Sequence, residues 1–117
     1  MSRNNNIDYL EYPAKDFAAT NAFFSEVFSW TFTDYGPEYT AFHSDKIEGG
    51  FYLSNLCSNS DQGAALTVFY SDALEALLEK VEAAGGKISK PIFSFPGGKR
   101  FHFLEPSGNE FAVWTET

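Results

Sequence analysis

One order of segments occurs twice in this chain: a strand, an aspartate-opened helix, then three short strands separated by turn residues. The second copy begins about 56 residues after the first, and it repeats the pattern rather than the identities. In the first copy, Ile7–Pro13 alternates, with Leu10 and Tyr12 on one face and Tyr9 and Glu11 on the other. Asp16 is placed to cap a helix reaching Phe28, in which Thr20, Phe23, Phe24, Val27 and Phe28 form a single stripe. Strands follow over Trp30–Asp34, Tyr39–His43 and Gly50–Leu53, with Gly36-Pro37 and Glu48-Gly49-Gly50 as turn signals.

The polar stretch Ser54–Gly63 reads as a linker. Beyond it, Ala64–Tyr70 is an apolar strand, and Asp72-x-x-Glu75 predicts a capping box for a helix with the stripe Leu74, Leu77, Leu78 and Val81. Gly85-Gly86 predicts a left-handed close to that helix. Strands at Lys87–Phe93, Lys99–Leu104 and Glu110–Thr115 complete the copy, punctuated by Pro96-Gly97-Gly98 and Pro106-Ser107-Gly108. The expected fold is α+β: tandem βαβββ modules, about 6–54 and 63–116, in one domain over 1–117. Two such modules side by side make a curved eight-stranded mixed sheet, a cup with the helices on its outer face. Its concave face is where a ligand belongs. A ferredoxin-like α+β fold is the alternative.

Composition removes several classes. An apolar fraction of 44% with 13 Phe excludes disorder of the whole chain. Sixteen acids against eight Lys/Arg leave a net charge of −8, which repels phosphate backbones and anionic lipid, so neither nucleic acid nor membrane is an expected partner. Cys57 has no second cysteine to pair with and no basic neighbour to activate it. It reads as an idle thiol in a reducing compartment. The opening MSRNNNID has no apolar targeting core, and a cytoplasmic location is expected.

Three segments carry a family resemblance. IDYLEYPAKDFAATNAFFSEVFSW is similar to a strand, a capping Asp, a helix with paired aromatics, and a Gly-Trp exit; Asp16, Phe23, Phe24, Phe28 and Trp30 match, and Ser29 replaces the glycine. YSDALEALLEKVEAAGGKI resembles the second Asp-opened helix. FHFLEPSGNEFAVW resembles an Asp-Pro-x-Gly-Asn turn and final strand, with Glu105 in place of Asp. In this order they resemble the vicinal-oxygen-chelate (glyoxalase/bleomycin-resistance/dioxygenase) superfamily over nearly the whole chain, and most closely its short glyoxalase-related members.

The resemblance implies a divalent metal held in the cup by His, Gln or Glu from the first and last strands of each half. Those positions fall here on Tyr9, Leu66, Ala112 and, loosely, Phe51 or Tyr52. None is a suitable ligand, so no cofactor is expected. His43 and His102 are either cup-facing acid/base groups, or an improvised metal pair, or ordinary polar strand residues. Glu11 faces the cup by alternation, and a carboxylate on an apolar wall would be a candidate catalytic base with a desolvation cost to carry. Glu110, beside a turn, reads as solvated. Tyr9, Tyr39, Tyr52, Tyr70 and Trp114 are candidates to stack on a planar ligand, with packing as the alternative. Lys99-Arg100 offers an anion contact or a solvated hairpin tip.

The candidate ligand-binding set is therefore Tyr9, Glu11, Tyr39, His43, Tyr52, Leu66, Tyr70, His102, Ala112 and Trp114. The expected function is a metal-free, homodimeric binder of a small aromatic or amphipathic molecule. The alternatives are a lyase, isomerase or dioxygenase using non-standard ligands or Glu11, and a protein–protein module with a filled cup.

Overall fold

The structure, a computed structural model, describes residues 3–116, so Met1 and Ser2 of the opening segment lie outside the described residues. In order, the elements are β1 (Tyr9–Ala14), α1 (Phe17–Phe28), β2 (Thr31–Asp34), β3 (Tyr39–His43), β4 (Glu48–Leu53), a 3-10 turn (Ser60–Gln62), β5 (Thr67–Tyr70), α2 (Leu74–Ala83), β6 (Lys87–Phe95), β7 (Gly98–Leu104) and β8 (Glu110–Thr115). Strand order is β1-β4-β3-β2 in one sheet and β5-β8-β7-β6 in the other. In each, the module's first strand runs parallel to its last, and the remaining pairs are antiparallel. The hydrogen-bonded architecture is thus two four-stranded mixed sheets with two helices. Among the described residues, no helix is long and apolar enough to cross a membrane.

Asp16 caps α1 as expected, its Oδ1 accepting from Ala19 N at 3.0 Å, and Thr20, Phe23, Phe24 and Val27 are buried. Ser29 closes the helix at φ 61°, its N–H donating to the Ser25 carbonyl and that of Trp30 to the Phe24 carbonyl. The capping box on Asp72 does not form. Because α2 begins only at Leu74, Ala73 is the N-cap, without a side-chain cap bond, and Glu75 sits one position too early to reach back. Ser71 Oγ accepts from Ala73 N instead. At the other end Gly85 is left-handed at φ 101° and Gly86 N donates to Val81 O, as the Gly-Gly pair predicts.

Glu48-Gly49-Gly50 is not a turn; it opens β4. The glycines are there for close packing. A side chain on Gly49 would strike the Phe42 ring and the Leu10 carbonyl, and one on Gly50 would strike the Tyr39 phenol.

The helix-facing sides of both sheets share a core with α1. Phe24 lies 5.8 Å from the Phe51 ring and 5.2 Å from Phe111, while Phe23 meets Phe103 at 5.6 Å. Across the seam between β1 and β5, Tyr12 Oη bonds Thr67 Oγ1 at 2.7 Å. The stretch 54–63 is anchored rather than loose: Asn109 Oδ1 accepts from Ser58 N, and Glu110 N donates to Ser58 O, both at 2.8 Å. Buried Glu105 organises this corner, accepting from Thr20 Oγ1 and Ser107 N at 2.7 Å and from Asn109 Nδ2 at 2.6 Å. Burial pushes its carboxyl above the ordinary range, and those donors offset only part of the rise.

Candidate functional site

Strand alternation leaves a second face on each sheet, turned away from the Phe core. On the first sheet it carries Tyr9 and Glu11 from β1, Tyr39, Ala41 and His43 from β3, and Glu48, Gly50 and Tyr52 from β4. Tyr39 lies over Gly50, where no Cβ obstructs it, and donates to Glu11 Oε2 at 2.9 Å. With its only proton committed there, Tyr39 accepts from Tyr9 Oη at 2.6 Å. Burial raises the Tyr39 phenol well above its ordinary value, and the bonds to Tyr9 and Glu11 raise it further. At the strand end, His43 sits between Thr33 Oγ1 (2.8 Å) and Glu48 Oε2 (3.2 Å), exposed to solvent.

The second sheet presents Val68 and Tyr70 from β5, Phe93 and Phe95 from β6, Arg100 and His102 from β7, and Glu110, Ala112 and Trp114 from β8. Here the polar groups are fixed in a relay. Glu110 Oε1 accepts from Ser60 N at 2.8 Å and Ser60 Oγ at 2.7 Å, and its Oε2 lies 2.8 Å from His102 Nδ1. Arg100 reaches His102 Nε2 with both Nε (3.1 Å) and Nη2 (2.9 Å). Arginine can only donate, so Nε2 is the acceptor, and the ring proton belongs on Nδ1, facing Glu110. Burial alone would push the Glu110 carboxyl up. The Ser60 backbone N–H, His102 and the Ser60 hydroxyl outweigh it and hold the group down at about 2.

Two expectations are corrected here. Glu110 is 8% exposed, not solvated, because residues 58–60 fold back over the turn and supply its donors. Glu11 is exposed and receives the Tyr39 proton, so it carries no burial on an apolar wall. His102, 2% exposed, is buried rather than a surface residue, whereas His43 is a partly exposed strand-end residue.

The candidate residues thus divide into two sets. Tyr9, Glu11, Tyr39, His43 and Tyr52 lie on the first sheet, and Tyr70, His102, Ala112 and Trp114 on the second. Among the described residues no hydrogen bond or ring contact joins the sets. Leu66 lies just before β5, half-buried. Sequence reasoning passed over Ser60, Phe93 and Phe95 and misjudged the depth of Glu110. The alternation Phe101/Phe103 against Arg100/His102 carried that signal, since it places the polar pair opposite the core.

The implied metal positions do not fit a divalent ion. By register, Gly50 is the first-sheet counterpart of Ala112, because Gly50 pairs with Ala41 as Ala112 pairs with His102. Phe51, the looser assignment, points into the core. Tyr9, Leu66, Gly50 and Ala112 offer one phenol among four positions, and that phenol is bonded to Tyr39. Among the described residues, no three His, Cys, Asp or Glu side chains converge as a ligand group.

A cavity of about 760 Å³ lies elsewhere, in the seam between β1 and β5 over Trp30, Phe42 and Phe69. Both bordering strands are sheet edges. The cavity is a gap between two sheet edges, and the fixed polar groups on the faces turned away from the Phe core are the candidate site.

The chain is thus a duplicated βαβββ protein with polar groups fixed on the sheet faces turned away from the Phe core. The family model of the Glyoxalase/Bleomycin resistance protein/Dioxygenase superfamily matches residues 6–113, and the chain belongs to that superfamily. It is 32% identical, over 124 aligned positions and 91% of its length, to the anthracycline biosynthesis protein DnrV of Streptomyces peucetius. It spans only 45% of that relative's length. Among solved structures it resembles the fosfomycin resistance protein FosX of Listeria monocytogenes (TM-score 0.79, 16% identity, 97% of this chain and 94% of that one). It also resembles a glyoxalase-related enzyme of Fulvimarina pelagi (TM-score 0.78, 17% identity, 95% and 88%). At such identities these likenesses are of fold.

Proposed function

We propose that this chain binds a small planar aromatic molecule without a metal, as a cytoplasmic homodimer. The observation that carries the reading is the exposure of aromatic rings on the concave faces. Tyr9, Tyr52, Tyr70 and Phe93 are 38–47% exposed, while Tyr12 of β1 and Phe51 of β4 are buried on the other side. Solvent-facing rings gathered around prepositioned hydrogen-bonding groups are what a planar ligand needs. The name of the Streptomyces relative supports the ligand class, since anthracyclines are planar polycyclic aromatics. A second copy of the chain supplies the missing neighbour for the β1 and β5 edges and joins four-stranded sheets into an eight-stranded cup.

The test is a titration of chelator-dialysed protein with naphthalene-2-carboxamide, read by Trp114 fluorescence, with Trp114→Phe as the control for buried Trp30. Saturable binding supports the reading; equal response to cyclohexanecarboxamide sinks it.

A second reading, metal-independent proton transfer, is favoured by one feature. Glu110 fixes the His102 tautomer, leaving Nε2 on the concave side as an acceptor. That reading moves the base from Glu11 to His102.

A further inference from the structure

Arg100 is an arginine held in place without an acid partner. Among the described residues the other arginine, Arg3, pairs with Asp8, but no acid lies within ion-pair distance of Arg100, in a chain with twice as many acids as bases. Its guanidinium spends two donors on a single acceptor, His102 Nε2, at 3.1 and 2.9 Å. That fork is shaped to receive two oxygens of one carboxylate. The remaining N–H groups have no acceptor among the described residues.

The surroundings hold the group ready. Phe93 and Phe95 lie 5.7 and 5.8 Å from the guanidinium carbon, which limits its swing and leaves its donors pointing away from the rings. His102 is locked by Glu110 in the tautomer that accepts from Arg100. Trp114, the cross-strand partner of Arg100, contacts Phe95 at 6.2 Å and Tyr70 at 5.1 Å, extending an aromatic wall from the cation towards β5.

We infer that Arg100 is an anion anchor, and that the ligand of this face is a planar aromatic monocarboxylate whose carboxylate takes the Arg100 fork while its ring lies along Phe95, Trp114 and Tyr70. On a chain of net charge −8, a single guanidinium fork suits one carboxylate, and a polyanion would be repelled. On binding, the ligand oxygens replace His102 Nε2 as acceptor, and His102 keeps its bond to Glu110. This inference rests on the aromatic-binding reading above and narrows its ligand class.

The test compares naphthalene-2-carboxylate with naphthalene-2-carboxamide on the intact protein by calorimetric titration at low ionic strength. The carboxylate should bind about tenfold tighter or more. Arg100→Gln should bring the ratio of the two affinities close to one. Arg100→Lys, which keeps the charge and loses the fork, should leave a ratio between the two, and it decides the matter if the glutamine variant does not fold. Equal affinities in the parent protein overturn the anion anchor and leave the aromatic reading standing. A ratio that persists in both variants also overturns it, because the charge is then read elsewhere. Binding of neither compound overturns both.

Discussion

Glu48 and Glu110 occupy the same place in the two halves, each the first residue of its module's last strand, yet one side chain is 60% exposed and the other 7%. Both meet an imidazole, Glu48 at 3.2 Å and Glu110 at 2.8 Å. The imidazoles are not equivalent. His43 is the direct cross-strand partner of Glu48, whereas His102 pairs with Ala112 and reaches Glu110 diagonally. The repeat has kept the carboxylate and differs in what covers it: Ser60 donates to Glu110 from its backbone and its side chain, and among the described residues no backbone N–H donates to the Glu48 carboxylate.

Removing the two charges should therefore have unequal effects. Glu110→Gln should destabilise the protein at neutral pH by about 3 kcal/mol at most, as the amide cannot serve Ser60 and His102 together as an acceptor. Glu48→Gln should stay within about 0.5 kcal/mol. The folded Glu110 carboxyl sits at about 2 against an ordinary 4.5, so its contribution is complete above pH 4.5 and is lost as pH falls towards 2. Urea denaturation at pH 7 and pH 3 should show the difference between parent and Glu110→Gln shrinking at the lower pH. A constant difference would mean that the carboxylate charge is not what stabilises the corner.

Much of this was legible because it is local. The α1 stripe, the Asp16 cap and the Gly85 close each follow from residues within a few positions of one another. Alternation also assigned Tyr9 and Glu11 to one face of β1, opposite Leu10 and Tyr12. It says which way a side chain points and not how deep it lies, which is why Glu110 was misjudged. Its cover comes from Ser60, 50 residues earlier in sequence, in a stretch whose composition reads as a linker. The Gly49-Gly50 pair was misleading for a related reason: two glycines resemble a turn until the rings of Phe42 and Tyr39 are seen above them.

Ser29 stands where the family pattern has glycine, and it adopts the left-handed conformation at φ 61° that glycine takes without strain. Its N–H bond to the Ser25 carbonyl is a backbone bond and would survive replacement. Ser29→Gly should raise stability by about 0.5–1 kcal/mol, and Ser29→Val should lower it by more than that. Thermal denaturation in which Ser29→Gly melts below the parent would show that the serine side chain has a compensating role.

The β1 and β5 edges border an apolar seam, and among the described residues no hydrogen bond or ring contact joins the two candidate sets. Sedimentation equilibrium at micromolar concentration should give a species of twice the 13.1 kDa chain mass. Val68→Lys, a charge on the β5 edge, should shift it towards the monomer and weaken naphthalene-2-carboxamide binding in parallel. A monomeric parent would defeat the dimer. A monomeric variant with full affinity would show that each chain's faces suffice alone.

Glu11 tests the first face. From sequence it was expected to carry a desolvation cost, so that Glu11→Leu would gain stability; the exposed carboxylate has no such cost to relieve. Glu11→Leu should now be neutral or lose up to about 1 kcal/mol, the worth of the Tyr39 bond. Glu11→Gln keeps the shape and removes the charge. Since Glu11 helps to hold the Tyr39 proton, that phenol should ionise at lower pH in Glu11→Gln than in the parent, as read by tyrosinate absorbance. The linkage has a definite sign. A phenol raised in the folded state contributes stability that is whole below about pH 10 and is lost as pH rises towards the folded value, so the alkaline loss should be smaller in Glu11→Gln. If Glu11→Leu gains more than about 1 kcal/mol, the carboxylate is strained rather than solvated, and the Tyr39 hydroxyl is not a stabilising donor to it.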